Sequence, residues 1–126
     1  MQTLLVVEDN AVVREGLAVV LRREGFRVDL AGDGEQALQH LRTDPRPDLI
    51  LLDMLMPVLD GWHFLERLKK EGTQPQVPVI ITTGTNLTRE WAVDHGCCGF
   101  VRKPVDAEEL LGEVRRCLPA SGGGAA

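Results

Sequence analysis

The stretch Leu51–Val58, LLDMLMPV, begins as a buried strand and then breaks its own pattern. Asp53 stands directly after Leu49, Ile50, Leu51 and Leu52, and a proline, Pro57, follows four residues later. A carboxylate at the end of an apolar run needs a partner or a task, because an unpaired buried charge is costly.

On either side of Asp53, short apolar runs alternate with amphipathic stretches. Strands are expected at Leu4–Val7, Arg27–Ala31, Asp48–Leu52, Val79–Thr83 and Gly99–Arg102. Helical spacing joins Val13, Leu17, Val20 and Leu21, then Ala37, Leu38 and Leu41, then Phe64, Leu65 and Leu68, and finally Leu110, Val114, Cys117 and Leu118. The interval Thr88–His95 is short and weakly patterned. The first, third and fourth runs are almost continuously apolar, as in a parallel sheet covered by helices on both faces. The pattern gives five βα units in one α/β domain spanning residues 1–119, followed by a flexible tail or linker stub at 120–126 (ASGGGAA).

Composition narrows the function classes. A chain of 126 residues that is 44% hydrophobic and 26% charged fits one globular domain. A net charge of −5 argues against direct nucleic-acid binding, which draws on an excess of Lys and Arg. With no membrane-length apolar run and no signal-peptide pattern in MQTLLVVEDN, a cytoplasmic location is expected. Cys97, Cys98 and Cys117 have neither a zinc spacing nor a disulfide framework, and are expected to be small buried residues.

In a parallel sheet the carboxyl ends of all strands share one edge, where open α/β sheets bind their ligands. That edge collects Glu8 and Asp9 after the first run, Asp53 after the third, Thr83 after the fourth and Lys103 after the fifth. Each has an ordinary structural reading: Asp9 or Asn10 as a helix cap, Asp60 as the cap of the next helix, Thr83 as a strand end, Lys103 as a loop lysine. Their conjunction at one edge is harder to explain that way. Clustered carboxylates repel unless a cation lies among them. Magnesium, with its preference for oxygen ligands and phosphate oxygens, fits Glu8, Asp9 and Asp53, and no His or Cys is placed to support zinc. With the site neutralised by metal and Lys103, Asp53 can act as a nucleophile toward a phosphoryl group.

Four motifs, VVEDN, LLLDMLMPVLDG, PVIITTG and GFVRKP, together resemble the response-regulator receiver domain of bacterial two-component signalling, over Thr3 to Leu118. The LLDMLMPVLDGWHFL stretch is closer to receivers that act alone, such as the single-domain chemotaxis type, or within hybrid kinases. The resemblance implies a flavodoxin-like, doubly wound fold with strand order 2-1-3-4-5. It implies Asp53 as phosphoacceptor, with magnesium held by Asp9, Asp53, Glu8 largely through water, and the backbone carbonyl of Leu55. Thr83 and Lys103 would bind phosphoryl oxygens. The donor would be a phosphohistidine on a sensor histidine kinase or a histidine phosphotransfer protein, leaving His40, His63 and His95 without a chemical role. Thr83 and Phe100 would form the switch, and the face carrying Trp91, Phe100 and Arg102 would meet an output partner or support a phosphorylation-dependent dimer. Family analogy makes Lys103-Pro104 cis, whereas the general X-Pro frequency favours trans. The segment from Thr83 to Lys103 is slightly short for the family, which leaves two readings of Trp91: packing over a shortened helix, or an exposed partner anchor.

Three other classes fit these residues less well. A small-molecule phosphatase with an aspartate nucleophile would need a cap domain, for which the chain has no room. A nucleotide-binding Rossmann unit would need a glycine-rich loop where EDNAVV stands. An unphosphorylated receiver-like interaction module stays as an alternative, disfavoured by the presence of Glu8, Asp9, Asp53, Thr83 and Lys103 together. A stand-alone receiver comes first, with one cut from a larger regulator or hybrid kinase as the alternative; it is not a conventional enzyme.

Overall fold

A computed structural model describes residues 2–43, 46–55, 60–70, 77–84 and 86–118; the expected tail at 120–126 lies outside them. Apolar runs form strands β1 (Thr3–Val7), β2 (Arg27–Ala31), β3 (Leu49–Asp53), β4 (Val79–Thr83) and β5 (Gly99–Arg102). Helices α1 (Ala11–Arg23), α2 (Gly34–Thr43), α3 (Gly61–Lys70), α4 (Arg89–Asp94) and α5 (Ala107–Cys117) alternate with them. All strand pairs are parallel, in the order β2-β1-β3-β4-β5, which is the flavodoxin-like arrangement. The chain winds outward from β1 to β2, then returns to place β3 on the other side of β1, so a crevice opens between the carboxyl ends of β1 and β3.

Period-two alternation sends side chains of each strand to opposite faces. Leu5, Val7, Ile50, Leu52 and Ile81 pack with Ala37, Leu38, Phe64 and Ala92 from α2, α3 and α4. Leu4, Val6, Leu49, Leu51, Ile80 and Val101 pack with Leu17, Leu21, Leu110 and Val114 from α1 and α5. Each such fully buried Leu or Ile contributes about 1.5–3 kcal/mol relative to exposure, so the central strands anchor the crevice firmly.

Local chemistry sets the helix starts. Asn10, Thr88 and Asp106 accept the backbone N–H of Val13, Trp91 and Glu109, and Asp60 accepts that of His63. Asn10 is therefore the α1 cap, which leaves Asp9 available to the crevice. The six-residue α4 buries Ala92 among its residues, consistent with the weak pattern of its sequence.

Three details depart from the reading of the sequence. β3 runs Leu49–Asp53 instead of Asp48–Leu52: the Asp48 carboxylate accepts the Thr3 N–H at 2.8 Å, while Asp53 enters the ladder opposite Thr82. β1 likewise starts one residue early, at Thr3. The third is a correction at the cysteines. Cys98, just before β5, and Cys117, at the end of α5, form a disulfide with Cα atoms 5.8 Å apart, and only Cys97 is a free buried thiol. Their separation of 19 residues gave no sign of proximity; only the packing of α5 on β5 brings them together. The Lys103-Pro104 peptide is cis.

Candidate functional site

The crevice is floored by two buried carboxylates. Glu8, at the end of β1, is 1% exposed, and Asp53, at the end of β3, is 3% exposed. Asp9 stands exposed at the mouth. One oxygen from each of Glu8, Asp9 and Asp53 can be chosen so that all three lie within 4.8 Å of one another. From the far side Lys103 reaches in, its Nζ 2.9 Å from Glu8 Oε1 and 3.4 Å from Asp53 Oδ1. The Asn10 N–H donates to Glu8 Oε2 at 3.2 Å, and the Leu55 N–H to Asp53 Oδ1 at the same distance.

Three carboxylates against one ammonium would carry a formal charge of −2 when all are ionised. Electrostatics reflect that excess: burial first, and then the Glu8 charge, push the Asp53 carboxyl up to about 7, although Lys103 and the Leu55 N–H pull the other way. Burial works against the Lys103 ammonium, but its contacts with Glu8 and Asp53 win and raise its pKa. A divalent cation among these oxygens would remove the excess charge. The donor set, oxygen atoms only, suits a hard ion such as magnesium. Glu8, Asp9 and Asp53 could therefore hold a metal.

The other residues singled out in the sequence fall at graded distances from this floor. Thr83 is buried at the end of β4, and its carbonyl accepts the Lys103 N–H at 2.8 Å, which fixes the lysine backbone beside the crevice. Leu55 follows Asp53 with an exposed side chain. Phe100 is 7% exposed within the α2–α3–α4 side of the core, with the Arg102 guanidinium 5.2 Å from its ring centre. Trp91 is half-buried on α4, stacked on His95 at 4.0 Å and tilted against Trp62 at 5.5 Å. His63 sits beside Asp60, and His40 beside Asp29.

Several contributors escaped the sequence reading. Arg14 on α1 donates to the carbonyl of Glu8 at 2.8 Å and more distantly, at 3.4 Å, to that of Asp9, bracing the loop that carries both acids. Gly61 opens α3 directly against β3: a Cβ there would lie 2.7 Å from Met54 Cα and 2.9 Å from the Asp53 carbonyl. Trp62, next to it, is 40% exposed and completes the aromatic group with Trp91 and His95. Glu113 on α5 accepts the Phe100 N–H and a guanidinium N–H from each of Arg89 and Arg116 at 3.0 Å, with a second from Arg116 at 3.4 Å. An i,i+3 or i,i+4 pattern could have flagged Glu113 with Arg116; nothing in sequence spacing links either to Arg89 or Phe100.

A doubly wound parallel sheet with an acidic crevice and a lysine at its carboxyl edge defines a class of α/β domain with its ligand site at the strand ends. Comparison with known proteins fixes the family. Residues 4–115 match the response regulator receiver domain, and the chain belongs to that family of two-component signalling domains. It is 34% identical, over 94% of its length and 49% of the relative's, to the alkaline phosphatase synthesis transcriptional regulatory protein SphR of Synechococcus elongatus. With the response regulator MprA of Mycobacterium tuberculosis the identity is 38%, over 91% and 50%. The chain thus spans about half the length of these curated relatives. Among solved structures, the chemotaxis response regulator CheY4 of Vibrio cholerae superposes with a TM-score of 0.83 at 28% identity, over 94% of this chain and 99% of that one. The signal receiver domain of a histidine kinase from Syntrophus aciditrophicus gives 0.82 at 31% identity, over 94% and 90%. Among the described residues, no helix is long and apolar enough to cross a membrane.

Proposed function

We propose that the domain, residues 1–119, is a phosphoacceptor switch: Asp53 takes a phosphoryl group from a phosphohistidine on a sensor histidine kinase or histidine phosphotransfer protein in the cytoplasm. The observation that carries this reading is the position of the Lys103 ammonium, within 3.4 Å of both buried carboxylates at the edge where Asp9 stands open. An ammonium there is placed to follow negative charge as it arrives.

Transfer needs Asp53 ionised, in line with the phosphorus, and shielded from repulsion. A carboxylate oxygen of Asp53 forms the new P–O bond while the P–N bond to the donor imidazole breaks and the imidazole nitrogen keeps the electron pair. Lys103, held at its backbone by Thr83, moves its charge from Asp53 to a phosphoryl oxygen. The Thr83 hydroxyl supplies a second donor to the same group. Glu8, Asp9 and Asp53, with the Leu55 carbonyl, would hold magnesium, which when bound neutralises the carboxylates and the entering phosphoryl oxygens. Arg14 keeps the Glu8–Asp9 loop in register. In this reading the domain promotes its own phosphorylation and dephosphorylation without being a conventional enzyme.

The output follows from Thr83 and Phe100. A hydroxyl drawn toward phosphate would shift packing at the end of β4, and Phe100 lies on the neighbouring strand, in register with Ile81 two residues before Thr83. Phosphorylation would then bias the face carrying Phe100, Arg102 and Trp91 between two arrangements, and with it the binding of an output partner or a second copy of the domain.

Intact mass after incubation with acetyl phosphate tests the reading, in magnesium and in a chelator, on wild type and Asp53→Asn. Gain of one phosphoryl group only by wild type and only with magnesium is the expected result. Equal labelling of the variant would overturn the assignment of Asp53. Absence of labelling, together with absence of a complex with beryllium fluoride, would favour an interaction module.

A further inference from the structure

We propose that Cys98 and Cys117 form a reversible thiol–disulfide site that fastens the end of α5 to the edge strand β5, with a low-molecular-weight disulfide of the glutathione type as its reaction partner. The proposal is independent of the phosphoacceptor reading, since neither cysteine belongs to the acidic crevice.

The backbone already holds the pair in place. Their Cα atoms are 5.8 Å apart, inside the range a disulfide spans without backbone movement. Gly99, the residue after Cys98, makes the approach possible: a Cβ at that position would meet Glu113 Oε1 at 2.8 Å and Cys117 Sγ at 3.2 Å. The same turns of α5 are tied to the strand without the sulfurs. Arg116 donates to the Cys98 carbonyl at 2.8 Å, and the Phe100 N–H donates to Glu113 at 3.0 Å. With these bonds and the apolar packing of Leu110 and Val114 intact, the two thiols remain neighbours after reduction, so the bond can open and close in the folded chain.

Selectivity among the three cysteines also follows from placement. Cys97 points into the α2–α3–α4 side of the core, whereas Cys98 and Cys117 pack on the α1–α5 side. Cys97 is 6% exposed, and burial pushes its thiol up to about 11, which keeps it in the unreactive protonated form. Cys98 is half-buried and Cys117 is 7% exposed, so a small disulfide reaches Cys98 first.

The exchange balances in two steps. The Cys98 thiolate attacks one sulfur of the small disulfide, forming a mixed disulfide and releasing one thiolate, which takes up the proton Cys98 lost. The Cys117 thiolate then attacks the Cys98 sulfur, forming the internal bond and expelling the second small thiolate, which takes up the proton Cys117 lost. Two protein thiols are oxidised and one small disulfide is reduced to two thiols. Closure stiffens the turn of α5 that carries Glu113, and Glu113 is in turn joined to Arg89 of α4 at 3.0 Å. The α4–β5–α5 surface therefore has a covalent brace whose state follows the thiol balance around the protein.

The test equilibrates the full folded chain in buffers of graded reduced-to-oxidised glutathione ratio. Samples are quenched in acid, then unfolded, alkylated and weighed intact. Of the three cysteines, all should be alkylated at the reducing end and one, mapped to Cys97, at the oxidising end, with the same curve approached from either direction. Cys97→Ser should reproduce the transition with one alkylation fewer throughout. In matched samples, amide exchange at Phe100 should be slower in the oxidised form. Three alkylated cysteines at every ratio would overturn the proposal, as would pairing through Cys97, a glutathione adduct that persists on Cys98, or a bond that opens only after unfolding.

Discussion

Asp53 carries two opposed demands: it must be buried to be positioned, yet charged to react. In the metal-free protein its carboxyl is raised from 3.8 to about 7, chiefly by burial and then by Glu8. The folded state then binds more protons than the unfolded state between those values, so this group's contribution to stability is fully present below about pH 4 and is lost as pH rises through 7. Asp53→Asn should therefore be more stable than wild type by about 1–3 kcal/mol at pH 8 in chelator, with the gap closing toward pH 4 and shrinking on addition of magnesium. Urea unfolding across that range measures it; a gap independent of pH would contradict the electrostatic origin. At Lys103 the sign is opposite. Lys103→Met leaves Glu8 and Asp53 facing each other without a cation, and should cost about 1–3 kcal/mol in chelator, discounted for the partial exposure of the ammonium. Denaturation in magnesium should recover part of that loss while phosphoryl uptake stays impaired. Asp53 and Lys103 were legible in the sequence because each breaks a strand-end pattern, whereas Arg14 was not, since an arginine on a helix surface looks solvated until its carbonyl partners are known.

At the scale of elements, the strands were legible because burial on both faces leaves almost unbroken apolar runs, as in β3 and β4. Strand starts were less so, because Asp48 caps an N–H of β1, a contact between segments that no local window contains. Packing of α3 on β3 depends on Gly61, whose missing side chain lets Met54 and the Asp53 carbonyl approach. Gly61→Ala should lower stability by about 1–3 kcal/mol through overpacking, and should slow phosphoryl uptake by shifting the strand end. A variant as stable and as readily labelled as wild type would show that the junction yields freely. On the opposite side, Glu113 links α4, β5 and α5. Burial opposes its charge, but Arg116, the Phe100 N–H and Arg89 together bring its carboxyl down from 4.5 to about 2. Such a depressed acid contributes stability above its unfolded value and loses it as pH falls between those limits. Glu113→Gln should cost about 1–2 kcal/mol at pH 7 by thermal or chemical unfolding, less as pH drops from 4.5 toward 2. This three-element junction was invisible in the sequence, since its members come from segments whose proximity the fold alone creates.

For the whole molecule, the order β2-β1-β3-β4-β5 is what turns scattered residues into a site. It sets the ends of β1 and β3 side by side, so Glu8 and Asp53 become neighbours although 45 positions apart in the chain. The same winding lays α5 on β5 and so brings Cys98 to Cys117, a pairing that cysteine spacing could not reveal. Strand-end chemistry could be read in advance because parallel topology sends every strand's carboxyl end to one edge. Side-to-side packing of helices has no such rule, which is why the Trp62, Trp91 and His95 group emerged only with the structure. The central claim is that the acceptor is the Asp53 carboxylate itself, and reductive trapping addresses it most directly. Borohydride converts an aspartyl phosphate to homoserine, so wild-type protein treated with acetyl phosphate and magnesium, then reduced and digested, should carry homoserine at position 53 and at no other carboxylate. Reduction at Glu8 or Asp9, or a phosphoryl group that survives borohydride unchanged, would contradict the account.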